Sequence, residues 1–297
     1  MATVNSESIA NVVVTRALHP ERIAELAASR QQPTGLVGET GRLLLVAADH
    51  PARGALRAGD NPLAMGDRAE LLTRMIRAIE RPGVDGVLGT ADVIEDLLLL
   101  GALEGKVVIG SMNRGGLAGT VFEIDDRFTG FGAAPIAAAG YQGGKMLFRI
   151  DPEDHATPVT MQACAQAVDE LATHRLLAMV EPFISGRGED GRIHNDLTTE
   201  AVIRSATVAA GLGSTSAYTW LKLPVVEDMD AVLAATTLPV VLLGGEVSSD
   251  QNAQFAAWSK ALASPNVRGM VVGRTLLFPP DGNVEAAVDA TVEMMTP

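Results

Sequence analysis

The sequence predicts an α/β protein, a single (β/α)8 TIM barrel that follows a short N-terminal extension. Apolar runs rich in Val, Ile and Leu alternate with helical stretches, which is the pattern of parallel βαβ units. The runs are almost continuously apolar, as expected of strands covered on both faces. An open doubly wound sheet is the alternative, because strands are easily miscounted from one sequence. The runs number eight, as a barrel requires: Leu43–Asp49, Val84–Gly89, Lys106–Asn113, Lys145–Asp151, Leu176–Phe183, Tyr218–Pro224, Pro239–Gly245 and Gly269–Arg274.

Helical patterns fill most of the stretches between these runs. The clearest cover Arg68–Glu80, Val159–Thr173, Thr199–Gly211 and Ser249–Ala263. Residues 1–40 are interpreted as a lead-in with a helix over His19–Ser29 and then a loop. Long loops are expected at Pro51–Asp67 and Gly115–Gly140. No stretch has the composition of a linker, so one domain over residues 1–297 is predicted.

The composition limits the class of protein and of partner. The chain has 297 residues, of which 47% are hydrophobic and 20% charged, so it can bury a large core. A net charge of -13 argues against nucleic acid or an anionic membrane as a partner. No apolar stretch reaches the length of a membrane span, and residues 1–10 lack the apolar segment of a signal peptide. We therefore expect a cytoplasmic protein, and we expect it to form a homo-oligomer.

Lys222 stands inside an apolar run, Ala217–Val226, that is predicted to be a buried strand. A lysine is rarely buried without a partner or a chemical role. Burial favours the neutral amine, the form that attacks a carbonyl to give a Schiff base. The alternative is a structural lysine whose stem is buried while its ammonium reaches solvent. The run by itself does not separate the two.

Polar side chains recur at the carboxyl ends of the predicted strands, where barrels carry their active sites. Loops that follow strands are usually polar, so no single one of these residues is informative. Their recurrence at the ends of several strands is the informative observation. The groups are Asp49 and His50 after the first run, Asn113 and Arg114 after the third, Lys145, Arg149 and Asp151 in the fourth, Glu181 in the fifth and Lys222 in the sixth.

The last two predicted strands indicate a phosphate site. Gly244 and Gly245 follow the seventh run, and Gly273 and Arg274 end the eighth. Barrels commonly bind phosphate on backbone N–H groups at this place, and glycine lets the backbone approach the anion. Arg274 adds a forked cationic donor. A Gly-Gly pair after a strand is more often a plain turn, so the prediction depends on the Gly-Arg pair one strand later.

Other motifs argue against a cofactor or a metal. Gly186–Gly191 has the spacing of a dinucleotide fingerprint, but its variable positions are charged. No Asp or Glu lies between Ala201 and Val226 to bind a ribose. We interpret the motif as a flexible loop that continues into a polar loop at Arg192–Asp196. The five histidines lack metal-ligand spacing. The lone cysteine, Cys164, is expected to be a small buried side chain.

Four features together resemble the class I aldolase superfamily of the archaeal-type fructose-bisphosphate, autoinducer-thiolase and deoxyribose-phosphate aldolase type. They are the Ala47–His50 motif, a lysine on the sixth strand, Gly-Gly after the seventh and Val-Gly-Arg on the eighth. The resemblance extends from about Leu43 to the C-terminus and is strongest over Lys222–Phe278. It implies a barrel that cleaves or forms a carbon–carbon bond through a lysine Schiff base.

Further segments resemble particular branches of this superfamily. Ala47–Leu56 and Gly144–Asp151, with the Glu181 strand, are similar to the tagatose-bisphosphate and sulfofructose-phosphate aldolases. Asn113–Leu117 and Phe122–Arg127 are similar to a bacterial subfamily linked with inositol breakdown.

Two departures narrow what the resemblance implies. The fructose-bisphosphate branch has a tyrosine acid after the fifth strand, where this chain has Glu181-Pro182-Phe183. The acid/base group implied is therefore Glu181, as in the tagatose-type branch. The deoxyribose-phosphate branch has a second lysine near the seventh strand, and this chain has none there, which argues against a plain deoxyribose-phosphate aldolase.

The predicted mechanism begins when Lys222 attacks a ketone, and the resulting protonated imine draws electrons from a carbon–carbon bond. Glu181 would carry the hydroxyl proton, and Asp49 would orient the substrate or share that work. Lys145 would keep Lys222 partly neutral by like-charge repulsion.

Arg149 would act on Lys222 in the same way and bind substrate oxygens. An ion pair of Arg149 with Asp151 or Glu181 is an alternative of nearly equal weight. The residues assigned to substrate binding are His50, Asn113, Arg114 and Arg149.

Three classes of function stay open: a Schiff-base aldolase, a thiolase-like lyase or transferase that uses the same lysine, and a non-catalytic barrel that binds phosphosugars. The cationic groups suit a ligand with a phosphate and a second anion. The subfamily resemblance implies 2-deoxy-5-keto-gluconate 6-phosphate, whose carboxylate Arg114 or Arg149 could take. Fructose or tagatose bisphosphate fits the same charges.

Overall fold

The computed structural model describes residues 4–38, 40–245, 247 and 250–296. The strands in this part of the chain are β1 (Leu43–Ala48), β2 (Gly86–Gly89), β3 (Val107–Ser111), β4 (Gly143–Ile150), β5 (Leu177–Arg187), β6 (Ile193–Asp196), β7 (Thr219–Leu223), β8 (Val240–Leu243) and β9 (Val267–Val272). The helices are α1 (Ser6–Leu18), α2 (Glu21–Ser29), α3 (Arg68–Ile79), α4 (Ala91–Leu99), α5 (Ala133–Ala138), α6 (Ala156–Thr173), α7 (Thr199–Ala210), α8 (Met229–Ala234), α9 (Gln251–Leu262), α10 (Arg274–Leu277) and α11 (Val284–Met295).

Eight of the strands form a closed parallel barrel. They pair in chain order from β1 to β5 and from β7 to β9, and β5 pairs with β7. β1 also pairs with β9 in parallel register, which joins the two edges of the sheet. This closure confirms the predicted (β/α)8 fold and rules out the open doubly wound sheet.

β6 is a strand that the sequence analysis did not predict. The fifth strand runs on to Arg187, and β6 pairs with its end in antiparallel register, with Gly186 opposite His194. The predicted loop at Gly186–Gly191 is therefore partly strand, since only residues 188–192 form the turn, and the prediction of a polar loop over Arg192–Asp196 was wrong. The segment is a β-hairpin whose two strands project beyond the barrel, where polar side chains are tolerated because most of them face solvent.

The predicted helices correspond closely to α3, α6, α7 and α9, with ends that differ by a few residues. Ser249, the predicted start of the last of these, lies outside the described residues, as do residues 1–3 and Glu39 of the lead-in. The lead-in contains α1 as well as the expected α2. A reciprocal cap between Asn5 and Ser8 begins α1. Cys164 is buried on α6, as predicted.

The core has two layers because successive strand residues face opposite sides of the sheet. One layer lies between strands and helices. The other fills the barrel itself and consists of Leu43, Leu45, Ala47, Leu88, Val107, Ile109, Leu177, Met179, Val241 and Val271. These ten side chains form a packed floor in the amino-terminal part of the barrel.

The lead-in closes the amino-terminal end of the barrel. Arg30, which follows α2 and is buried, donates to the carbonyl oxygens of Lys106 at 2.9 Å, Gly140 at 2.8 Å and Leu103 at 3.3 Å. These carbonyls belong to the segments that enter β3 and β4. Arg16 of α1 forms ion pairs with Glu95 and Asp96 of α4, so α1 is anchored to the helix that covers β2 and β3.

Among the described helices, none combines the length and the apolar composition that a membrane span requires.

Gly86→Ala should destabilise the protein. A Cβ at Gly86 would overlap the backbone carbonyl of Val107 on the paired strand. We expect the free energy of unfolding in urea to fall by about 1–3 kcal/mol or more, as for other overpacked sites. Gly186→Ala is the matched control, since nothing lies within 4 Å of a Cβ at that strand position. Equal losses in the two variants would contradict the packing argument.

Candidate active site

Three ionisable side chains from adjacent strands point into the barrel above its packed floor. Lys145 of β4, Glu181 of β5 and Lys222 of β7 are 1%, 8% and 3% exposed. The Lys222 Nζ donates to Glu181 Oε1 at 2.6 Å, and the Lys145 Nζ forms an ion pair with the other oxygen, Oε2. Glu181 thus bridges the two lysines. The chain has four lysines, and two of them meet on this one carboxylate.

Asp49, just beyond β1, extends this arrangement on the other side of Lys145. Its Oδ2 lies 3.3 Å from the Lys145 Nζ and is ion-paired with the Arg114 Nη2. The Ser111 hydroxyl lies 3.3 Å from the same oxygen and accepts from the Arg114 Nε at 3.0 Å. Alternating charges therefore run from Arg114 through Asp49, Lys145 and Glu181 to Lys222.

Burial and the charges of neighbouring side chains shift the pKa values of Glu181, Lys145 and Arg114. Burial alone would raise the pKa of the Glu181 carboxyl, but the charges and hydrogen bonds of Lys145 and Lys222 hold that pKa well below its usual range. Burial lowers the pKa of the Lys145 ammonium well below its usual range, and the Arg114 guanidinium lowers it further. Burial also lowers the pKa of Arg114 to about 10. Glu181 is accordingly a carboxylate, and Lys145 releases its proton more readily than a free lysine.

A cavity of about 590 Å³ opens above this line at the carboxyl ends of the strands. It exposes Lys222 and Glu181 at its base. Its polar wall consists of His50, Arg53, Arg114, Glu123, Arg149, Asn195, Gln254 and Arg274, and its apolar wall includes Leu147, Phe183, Ile193, Leu197, Val225 and Trp258. With five cationic and two anionic side chains, the cavity is positively charged although the protein is acidic.

Arg149 lines the cavity, but its ion pairs differ from those that the sequence predicts. Its partners are Asp126, at 2.8 Å from Nε and 2.5 Å from Nη2, and Glu123, at 3.6 Å from Nη1. The expected partners were Asp151 or Glu181. Asp151 instead accepts from the backbone N–H of Glu153. The long loop after β3 supplies the actual carboxylates.

Asn113, assigned to substrate binding from the sequence, is fully buried. Its amide nitrogen donates to the carbonyl oxygens of Asp126 at 3.0 Å and Leu147 at 2.5 Å, and its amide oxygen accepts from the Leu147 N–H at 2.7 Å. These bonds hold the loop after β3 against β4. The Asn113 side chain therefore does not line the cavity.

His50 stands at the mouth of the cavity beside Asp49, with 3.5 Å between Nδ1 and Asp49 Oδ1. Burial, with the positive charges of Arg274 and Lys222, lowers the pKa of the imidazole well below its ordinary value. The ring is therefore neutral at neutral pH. Within the described ranges, no group of three or more His, Cys, Asp or Glu side chains is arranged to hold a metal ion.

The four residues assigned to phosphate binding lie together at the carboxyl ends of β8 and β9. Gly244, Gly245, Gly273 and Arg274 all line the cavity. Gly245 has a φ of 70°, which favours glycine. A Cβ at Gly273 would lie 2.6 Å from the Ala47 carbonyl oxygen, so only glycine fits between β9 and β1 there.

Several cavity residues were not identified from the sequence. Arg53 belongs to a one-turn 3-10 helix after β1, and Glu123 to the long loop after β3. Ile193 and Asn195 come from the unexpected strand β6 and Leu197 follows it. None of these lies at the end of a predicted barrel strand. Arg53 had a signal in the Ala47–Leu56 resemblance, whereas nothing local singles out the others.

Comparison with known proteins gives the family and the fold. A family model described as Cgl0159-like matches residues 41–292. The crystal structure of Cgl0159 from Corynebacterium glutamicum is 52% identical, with 98% of this chain and 97% of that chain covered and a TM-score of 0.95. No curated protein matches this chain.

More distant solved structures share the barrel. A Schiff-base-forming fructose-1,6-bisphosphate aldolase is 20% identical, over 92% of this chain and 99% of that one, with a TM-score of 0.65. An archaeal fructose-1,6-bisphosphate aldolase with its catalytic lysine bound to the carbinolamine intermediate is 18% identical, over 93% and 100%, with a TM-score of 0.67. At these identities the likeness concerns the fold, which is aldolase-like. By its family match and its 52% identity to Cgl0159, the chain belongs to the Cgl0159-like family.

Proposed function

We propose that the protein is a class I aldolase that acts on a phosphorylated keto sugar or sugar acid through a Schiff base on Lys222. The observation that carries this proposal is the buried contact of Lys222 with Glu181 at the base of a cationic cavity. The contact fixes the amine at the base of the cavity, where it can attack a carbonyl held above it.

In the proposed reaction the neutral Lys222 amine adds to the substrate ketone. A carbon–nitrogen bond forms, and the carbonyl oxygen leaves as water after taking up two protons. The protonated imine then accepts the electron pair of the breaking carbon–carbon bond and becomes an enamine. The hydroxyl on the departing fragment loses its proton to Glu181 and becomes an aldehyde. Protonation of the enamine and addition of water release the second fragment and restore Lys222.

Lys145 and Asp49 support proton movement in this scheme. Lys145 contacts both carboxylates, and its lowered pKa suits it to pass a proton between them. Glu181 has a low pKa in the resting line of charges, which favours the ionised form that accepts a proton. When Lys222 becomes bound to substrate, its contact with Glu181 changes, and Glu181 becomes free to serve the substrate hydroxyl.

The substrate phosphate is proposed to lie on the wall formed by Gly244, Gly245, Gly273 and Arg274. Backbone N–H groups and a guanidinium are suitable donors for a phosphate. The candidate substrates are 2-deoxy-5-keto-gluconate 6-phosphate, fructose bisphosphate and tagatose bisphosphate. Release of dihydroxyacetone phosphate from each, measured with purified protein, identifies the substrate, and no release from any of them would contradict the proposal.

Borohydride should trap dihydroxyacetone phosphate on Lys222. Reduction of the imine adds a stable mass that intact-protein and peptide mass spectrometry can locate. Lys222→Met should abolish the adduct. Lys260→Arg is the control, because Lys260 lies on α9 outside the cavity, and it should leave the adduct unchanged. An adduct found on another lysine would overturn the assignment.

Glu181→Gln should lower turnover by about 10²–10⁴-fold, the usual effect of losing a positioned proton carrier. Borohydride trapping should persist in this variant, since the amine and the phosphate wall remain. Turnover is measured as product release and trapping as mass. Full turnover in Glu181→Gln would assign the proton work to another group, and Asp49 would be the next candidate.

Arg274→Ala should raise KM about 10- to 100-fold for a phosphorylated ketose, the scale of a lost charge-assisted hydrogen bond. The KM for the unphosphorylated analogue should change little, because that ligand has no anion for the guanidinium. Steady-state kinetics on the two substrates gives the ratio. Equal changes in both values would remove the phosphate assignment.

A further inference from the structure

A second cationic region of the cavity lies away from the phosphate wall and contains Arg53, Arg114 and Arg149. Two of these arginines already have carboxylates of their own. Arg114 is paired with Asp49, and Arg149 is held by Asp126 through two of its nitrogens. Asp49 therefore balances the charge of Arg114, whereas Arg149 still has its Nη1 directed to Glu123 Oε1, 3.6 Å away.

Arg53 differs from both. Its side chain is 15% exposed, and its contact with a carboxylate is a single one, 3.3 Å from Nη2 to Glu123 Oε1. The Nε is buried and has no hydrogen-bond partner among the described residues. Burial lowers the pKa of this guanidinium, and the positive charge of Arg149 lowers it further. The single 3.3 Å contact with Glu123 leaves donors of Arg53 for an anion in the cavity.

Glu123 occupies the place that such an anion would take. Its Oε1 lies 3.3 Å from Arg53 Nη2 and 3.6 Å from Arg149 Nη1, while its Oε2 accepts from the backbone N–H of Gly119 at 2.8 Å. The side chain lines the cavity. It comes from a long loop that also contacts Arg53 through the backbone, where the Ala118 N–H donates to the Arg53 carbonyl at 2.9 Å.

We infer that Arg53, with Arg149 behind it, binds a second anionic group of the substrate, and that Glu123 is an internal carboxylate that competes for the same position. This inference rests on the proposed aldolase function and adds the residues that bind the second anion, a carboxylate or phosphate remote from the first phosphate. In the free protein Glu123 balances the arginines, and the ligand anion replaces it.

Because Glu123 and the ligand anion compete for Arg53, substitutions of the two residues should change the binding of the anion in opposite directions. Arg53→Gln removes the donor and weakens binding of the anion. Glu123→Gln keeps the side-chain length and an oxygen for the Gly119 N–H but removes the competing charge, so it strengthens binding of the anion. A purely structural role for the Arg53–Glu123 contact predicts that both variants lose function together.

The first experiment measures aldol addition of dihydroxyacetone phosphate to three aldehydes: malonate semialdehyde, glyceraldehyde 3-phosphate and neutral glyceraldehyde. Arg53→Gln should raise the KM for an anionic acceptor about 10- to 100-fold, and Glu123→Gln should lower it about 3- to 10-fold, the scale of one partly screened ion pair. The KM for glyceraldehyde should stay constant. The anionic acceptor that responds more strongly tells whether the group is a carboxylate or a phosphate.

Arg127→Gln is the control for loss of an arginine, because Arg127 is on the same loop, is 72% exposed and pairs with Asp125. It should alter none of the three values. Equal changes for anionic and neutral acceptors, or changes of the same sign in Arg53→Gln and Glu123→Gln, would overturn the inference.

The second experiment does not depend on catalysis. Malonate is titrated by calorimetry into protein carrying Arg274→Ala, which disables the phosphate wall. Glu123→Gln added to this background should tighten the Kd for malonate, and Arg53→Gln should weaken it. If neither changes the Kd, the anion site is wrong whatever the enzyme does. If these shifts appear while no aldehyde is consumed and no imine is trapped, the anion site stands and the aldolase proposal fails.

Discussion

The line of buried charges from Arg114 to Lys222 is the constraint on which the rest of the site depends. A charge in a barrel interior is tolerated only when a partner and hydrogen bonds replace water. Here each carboxylate lies between two cations, and Lys145 lies between two carboxylates. The arrangement requires β4, β5 and β7 in one fixed register, with Leu147 opposite Glu181 on the neighbouring strand. A shift by one residue would turn Lys145 outward into the apolar layer under the helices.

Much of this site could be predicted because it follows from local pattern. The apolar runs identify the strands, and their ends identify the polar residues that a barrel collects at one rim. Lys222, Glu181, Lys145 and Asp49 are brought together as the fold class implies. The contacts of Arg149 and Asn113 could not be foreseen, since their partner Asp126 lies in a loop whose path is set by tertiary packing. The hairpin β5–β6 was missed for another reason, because most of its second strand is exposed and shows no apolar alternation.

The chain as a whole is negatively charged, whereas its cavity is positively charged. The net charge of -13 is that of the whole chain, and it disfavours extended polyanions such as nucleic acid. The cavity has the opposite sign, and its charges lie close together behind apolar walls where solvent screens them less. A small anionic ligand is therefore compatible with an acidic protein. The overall charge bears on macromolecular partners, and the charge of the cavity bears on the small ligand.

The packed floor of the barrel also determines how the products of a cleavage reaction can leave the cavity. Leu45, Ile109, Met179 and Val241 belong to the apolar layer that closes the interior below Lys222, and nothing the size of a sugar fragment can pass through it. A molecule split in this cavity must send both pieces out through the same mouth. In the proposed reaction the piece bound covalently to Lys222 would lie deepest, so the unattached aldehyde would depart first and the covalent piece last. Product inhibition would then be asymmetric, with the last fragment to leave competing directly with fresh substrate for the empty site.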